Sequence, residues 1–101
     1  MAEASVLEKN EVRTKTMQKH KVIMCNDDTT SFQCVIDILM KIFGKTEKEA
    51  NLIALSIHKA GPNGKKVVAE YSSYSIAKMK AQKGMNYAKS EGYNEFTIIV
   101  K

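Results

Sequence analysis

Asn26, Asp27 and Asp28 end the apolar run Val22-Ile23-Met24-Cys25, and one of the chain's two histidines, His58, follows later beside Ile57. An amide oxygen, two carboxylates and an imidazole are all hydrogen-bond acceptors, and together they carry negative charge. Gathered at one place, they suit a ligand that presents a small cation such as an ammonium group. Asn and Asp at a corner are also common turn and capping residues, and a histidine at a helix end often complements the helix dipole. Spacing alone leaves both uses open. A metal site from Asp27, Asp28 and His58 lacks any recognised ligand spacing, so neither metal nor cofactor is expected. Catalysis is not expected either. The serines and cysteines lack a histidine held by a third group, no glycine loop is built to cradle phosphate, and Glu47 and Glu49 read as first-turn helix acids.

The elements around these residues decide whether they meet. Val22 to Cys25 reads as a short buried strand that stops at the Asn-Asp-Asp turn. Thr30 with Gln33 reads as a capping box opening a helix, whose apolar positions 32, 35, 36, 39, 40 and 43 share one face, with Gly44 as its stop. Thr46 with Glu49 forms a second capping box. The helix after it carries Ala50, Ile53, Ala54, Ile57 and His58 toward the interior and stops at Gly61-Pro62. A connection as tight as Gly44-Lys45-Thr46 makes the two helices antiparallel, so the end of the second returns to the start of the first. His58 is thereby expected near Asn26, with Phe32, Val35, Ala54 and Ile57 on the turns between them. The expected product is an acceptor cluster beside an apolar hollow.

Beyond the Pro62-Asn63-Gly64 turn, Lys66 to Tyr71 reads as a second strand with imperfect alternation, and Ser72 and Ser73 are caps for a third helix over 74–91, ended by Gly92. Ala77, Ala81, Gly84 and Ala88 give that helix a face of small residues. Gly84 in mid-helix costs about 1 kcal/mol against alanine, which points to a close approach of another element. Phe96 to Val100 reads as a third strand. The order β-α-α-β-α-β implies an α+β sandwich, three helices packed on a three-stranded, mainly antiparallel sheet.

A chain of 101 residues with 44% hydrophobic and 27% charged residues is expected to form one soluble domain. The core is placed at 19–101 and a flexible N-terminal tail at 1–18, which shows neither a secretory h-region nor an Arg-rich transit pattern. No stretch is apolar for long enough to span a bilayer, and a cytoplasmic monomer without membrane or nucleic-acid partners is expected. Cys25 and Cys34 read as reduced, buried hydrophobes. The net charge of +5 and the lysines Lys78, Lys80, Lys83 and Lys89 of the third helix leave an alternative, a basic-faced module binding nucleic acid or ribosomal partners. A further alternative is dimerisation through the small-residue face.

Lys21-Val22-Ile23-Met24-Cys25-Asn26-Asp27-Asp28-Thr29-Thr30, Val35-Ile36-Asp37-Ile38-Leu39-Met40-Lys41-Ile42-Phe43-Gly44-Lys45, Glu49-Ala50, Leu55-Ser56-Ile57-His58 and Gly61 resemble the bacterial ClpS family. Its members are small adaptors that bind proteins by destabilising N-terminal residues and hand them to a Clp AAA+ unfoldase and protease. The resemblance runs from about residue 20 to the C-terminus and implies a non-enzymatic adaptor for substrates beginning with Phe, Tyr, Trp or Leu. It implies that Asn26 and His58 bind the α-amino group of the target, with Asp28 helping and Asp27 beside it. Thr30, Phe32, Val35, Ala54 and Ile57 match the pocket for the first side chain. Lys80, and Ser75 where the family carries an acid, match positions facing the N-terminal domain of an unfoldase of the ClpA or ClpC type. Methionine is usual in the family where Phe32 stands and a larger residue, often methionine, where Ala54 stands; the family's pocket leucine near the C-terminus has no leucine counterpart here, since Glu95 or Phe96 falls at that position.

Overall fold

The apolar run before the Asn-Asp-Asp corner becomes the central strand of a three-stranded sheet. A computed structural model describes residues 19–101; the expected tail at 1–18 lies outside the described residues. Strand β1 (His20–Cys25) lies between β2 (Lys65–Tyr71) and β3 (Thr97–Val100), and both pairings are antiparallel. Val22 and Met24 alternate onto the covered face and are fully buried, while Lys21 faces water. The helices α1 (Phe32–Lys41), α2 (Glu47–Lys59) and α3 (Tyr74–Ser90) complete the order β-α-α-β-α-β.

The imperfect alternation of β2 has a physical cause. Val22 pairs with Ala69 and the next residue, Ile23, pairs with Val67, so Val68 is an extra residue in the ladder. This β-bulge turns Val68 into the core and leaves Val67 41% exposed. The strand ends differ from the sequence reading by a residue or two, as element boundaries commonly do.

The cap of α1 corrects an expectation. Ser31, not Thr30, is the N-cap, its hydroxyl accepting from Cys34 N at 3.0 Å. Thr30 is held one residue too early, because its N–H donates to Asp27 Oδ1 at 3.2 Å. Gln33, free of any capping box, donates to Asp37 at 2.9 Å instead. The capping box of α2 forms as expected: Glu49 N donates to the Thr46 hydroxyl at 3.1 Å, and Thr46 N donates to Glu49 Oε1 at 2.9 Å. The Thr46 N–H and, at 3.2 Å, the Thr46 hydroxyl both donate to Glu49 Oε1, and these two bonds favour the charged carboxylate and hold Glu49 below the usual glutamate range.

On α3, Ala77, Ala81, Gly84 and Ala88 are all buried. A Cβ on Gly84 would lie 2.5 Å from Ile98 Cδ1 of β3 and 3.2 Å from Ile38 Cγ2 of α1. The small face therefore admits the sheet and α1 into close contact, and it is used inside the domain rather than left for a second copy. The outer side of α3 is tied to α1 by polar groups, with Lys41 donating to the Tyr87 hydroxyl at 3.4 Å and that hydroxyl to Asp37 at 3.2 Å. Cys34 is buried, and desolvation first, then the Glu91, Asp37 and Asp27 carboxylates, push its thiol pKa up. Cys25 is only half-buried. Among the described residues no helix is long and apolar enough to cross a membrane.

Candidate functional site

β1 runs straight into Asn26, and from there the chain must turn to start α1. Asp27 makes the turn: Oδ1 accepts from Thr30 N at 3.2 Å and Oδ2 from the Thr29 hydroxyl at 2.9 Å. Both oxygens of this carboxylate are thus engaged in local structure, and it holds the corner in shape. Asp28, next in sequence, is exposed.

The far side of the site is the end of α2. Its C-terminal turn is closed by Gly61 at φ +87, a left-handed position that suits glycine. Asn26 Nδ2 donates to the Gly61 carbonyl at 2.6 Å, and Asn26 N donates to the Gly64 carbonyl at 2.9 Å. Two bonds from one residue therefore tie the end of β1 to the end of the helix that carries His58. The partner of Nδ2 is an acceptor, so the orientation of the amide is fixed, and Oδ1 remains as the acceptor that Asn26 can offer a ligand.

Between these two walls lies a cavity of about 510 Å³, lined by Asn26, Asp27, Asp28, Thr30, Phe32, Val35, Ala54, Ile57 and His58, together with Gly61 and Pro62. All nine residues singled out from the sequence for the amine site and the pocket face this one space. Gly61 and Pro62 were not among them; a Gly-Pro pair at the end of the His58 helix is the signal that could have placed them at the wall. Val35, Ala54 and Ile57 are buried, Phe32 stands 42% exposed at the mouth, and His58 is exposed where the sequence placed it on the inner face of its helix. Among the described residues, the buried Thr30 hydroxyl has no hydrogen-bond partner. The site is thus polar at one end, with amide, carboxylate and imidazole acceptors, and apolar at the other.

The remaining candidates lie elsewhere. Lys80 reaches across to α1's end, donating to the Ile42 carbonyl at 3.0 Å with its ammonium 5.9 Å from the centre of the Tyr71 ring. Ser75 is exposed on the first turn of α3, and Lys78, Lys83 and Lys89 are exposed along it. Of the two residues that fall where the family carries its C-terminal pocket leucine, Phe96 is buried in the core, whereas Glu95 is exposed and faces an open hollow shared with Asn26, Asp27 and Asp28. Among the described residues no group of three or more His, Cys, Asp or Glu side chains is placed to hold a metal ion.

Comparison with known proteins agrees on one family. Residues 15–96 match the family model described as ATP-dependent Clp protease adaptor protein ClpS. The chain is 42% identical over 74 residues to the ATP-dependent Clp protease adapter protein ClpS of Helicobacter hepaticus, covering 73% of this chain and 71% of that one. With the protein of the same description from Nautilia profundicola it shares 37% identity over 84 residues, 83% of this chain and 82% of the relative. A similar solved structure is that of Agrobacterium tumefaciens ClpS2 bound to L-phenylalaninamide, with a TM-score of 0.72 and 26% identity, covering 84% of this chain and 99% of that one.

Proposed function

The chain belongs to the ClpS family of ATP-dependent Clp protease adaptor proteins, and we propose on that premise that its cavity receives the first residue of a substrate protein. The observation that carries the proposal is the meeting of an acceptor cluster and an apolar hollow in one cavity between α1 and α2. Asn26 Oδ1, the Asp28 carboxylate and a ring nitrogen of His58 accept from the α-ammonium group, whose three donors and single charge they match. Asp27 serves by holding the turn. Phe32, Val35, Ala54 and Ile57, with Thr30 beside them, surround the side chain of a first residue Phe, Tyr, Trp or Leu. A relative of similar fold is bound to L-phenylalaninamide, which supplies such an amine and such a ring on one small molecule.

Each charge-assisted hydrogen bond contributes about 1.5–3 kcal/mol, and burying the side chain adds roughly 1.5–3 kcal/mol. Together these terms reach micromolar affinity or better. The adaptor is non-enzymatic and cytoplasmic, acts as a monomer, and passes its substrate to the N-terminal domain of a Clp AAA+ unfoldase of the ClpA or ClpC type. Ser75 and the exposed side of α3 meet that domain. Lys80, whose ammonium also bonds the Ile42 carbonyl, is the second contact residue. The test of the site is the pair Asn26→Ala and His58→Ala: each weakens binding of a free Phe-initiated peptide about tenfold or more, and wild-type affinity in both would overturn the assignment. The test of docking is titration with purified unfoldase N-terminal domain, where Ser75→Arg weakens association and leaves peptide binding intact.

A further inference from the structure

Two of the residues around the cavity differ in kind from the rest of its lining. Phe32, at the first position of α1, holds its ring at the mouth, 42% exposed, above the buried Val35 one turn further on. Ala54 faces the same space from α2 and is 3% exposed, yet its side chain ends at Cβ. At these two positions the lining therefore offers an exposed ring from α1 and only a buried methyl from α2. A planar side chain can lie against the face of such a ring, and a branched aliphatic one cannot.

We propose that Phe32 and Ala54 make this site select aromatic first residues over leucine, the Phe32 ring stacking on the bound ring and Ala54 leaving it room. The proposal rests on the reading of the cavity as the site for the first residue. Aromatic pairs in offset or edge-to-face contact are favoured by about 0.5–1.5 kcal/mol beyond the area they bury, which is roughly twofold to twelvefold in affinity. Leucine fills the hollow without presenting a face to Phe32.

Fluorescence anisotropy with labelled peptides beginning Phe, cyclohexylalanine or Leu, each free and N-acetylated, separates the parts. Cyclohexylalanine matches the ring in size but has no π-face. The wild-type chain is expected to bind the Phe peptide about threefold to tenfold more tightly than the cyclohexylalanine peptide, and Phe32→Leu brings that ratio close to one. Phe32 is half out in water, so this variant folds, and its thermal unfolding checks that it does. Ala54→Met fills the hollow and weakens Phe and cyclohexylalanine peptides more than the Leu peptide. A wild-type ratio near one, a ratio untouched by Phe32→Leu, or equal losses for Phe and Leu in Ala54→Met overturns the selection while leaving the site standing. Equal binding of free and acetylated peptides, or binding of none, overturns the reading of the site and the selection with it.

Discussion

Replacing Asn26 separates its two duties, because the two ends of its amide face different partners. Nδ2 donates to the Gly61 carbonyl at 2.6 Å, which also accepts from Gly64 N at 3.0 Å. Asn26→Ala removes the first bond but leaves Gly61 one partner, so the stability cost is that of one ordinary hydrogen bond, about 0.5–1.5 kcal/mol. For a domain of this size it lowers Tm by roughly 4–8 °C per kcal/mol. The same variant removes the Oδ1 acceptor, and loss of one bond to a charged donor weakens peptide binding by about 1.5–3 kcal/mol, roughly tenfold to 150-fold. Asn26→Asp keeps an acceptor for the ammonium but turns a carboxylate oxygen toward the Gly61 carbonyl, where nothing can be donated. It is expected to lose more stability than Asn26→Ala and less affinity. Anisotropy with a free Phe-initiated peptide and thermal unfolding of both variants measure the two orders. An Asn26→Ala protein that binds within about threefold of wild type, a difference well under 1 kcal/mol, would refute the reasoning.

Three further perturbations follow from the fold. Asp27→Ala removes both bonds that hold the corner and lowers Tm by several degrees, whereas Asp28→Ala, at an exposed site, weakens peptide binding and leaves thermal unfolding nearly unchanged. Gly84→Ala gains about 1 kcal/mol of helix propensity but forces a methyl against Ile98 and Ile38 in a close-packed core, which costs about 1–3 kcal/mol. The net result is a lower Tm, and a rise would contradict the packing assigned to that face. Glu49, held below its usual range chiefly by the backbone of Thr46, is a depressed carboxyl: its contribution is complete above the ordinary value of 4.5 and is lost as pH falls through the lower value of the folded state. Denaturant unfolding of wild type and Glu49→Gln is therefore expected to differ at pH 7 and to converge in acid.

The site was legible because its phase is set by local signals. Thr46 and Glu49 start α2 at a fixed residue, Gly44 ends the helix before it, and from there the 3.6-residue period alone puts Ala54, Ile57 and His58 opposite Phe32 and Val35. What escaped the sequence is settled by contacts between distant or competing groups. Thr30 and Ser31 each carry a hydroxyl three residues ahead of a plausible partner, and the choice falls to Ser31 because Asp27 captures the Thr30 N–H. The bulge at Val68 depends on how β2 registers against β1, which no run of β-branched residues in β2 can disclose. The tie between Asn26 and Gly61 spans the whole helix pair, so the sequence offered a turn residue and a helix stop but not their bond. The small face of α3 did announce its use, since a mid-helix glycine is costly unless something approaches closely.

The central claim is that the cavity recognises a free α-amino group together with an apolar first side chain. Anisotropy with labelled short peptides beginning Phe, Leu, Val or Met, each free and N-acetylated, tests it most directly, since acetylation removes the charge and the donors and leaves the side chain untouched. Binding confined to the free Phe and Leu peptides is the expected result. Equal binding of free and acetylated forms, or equal binding whatever the first residue, would contradict it.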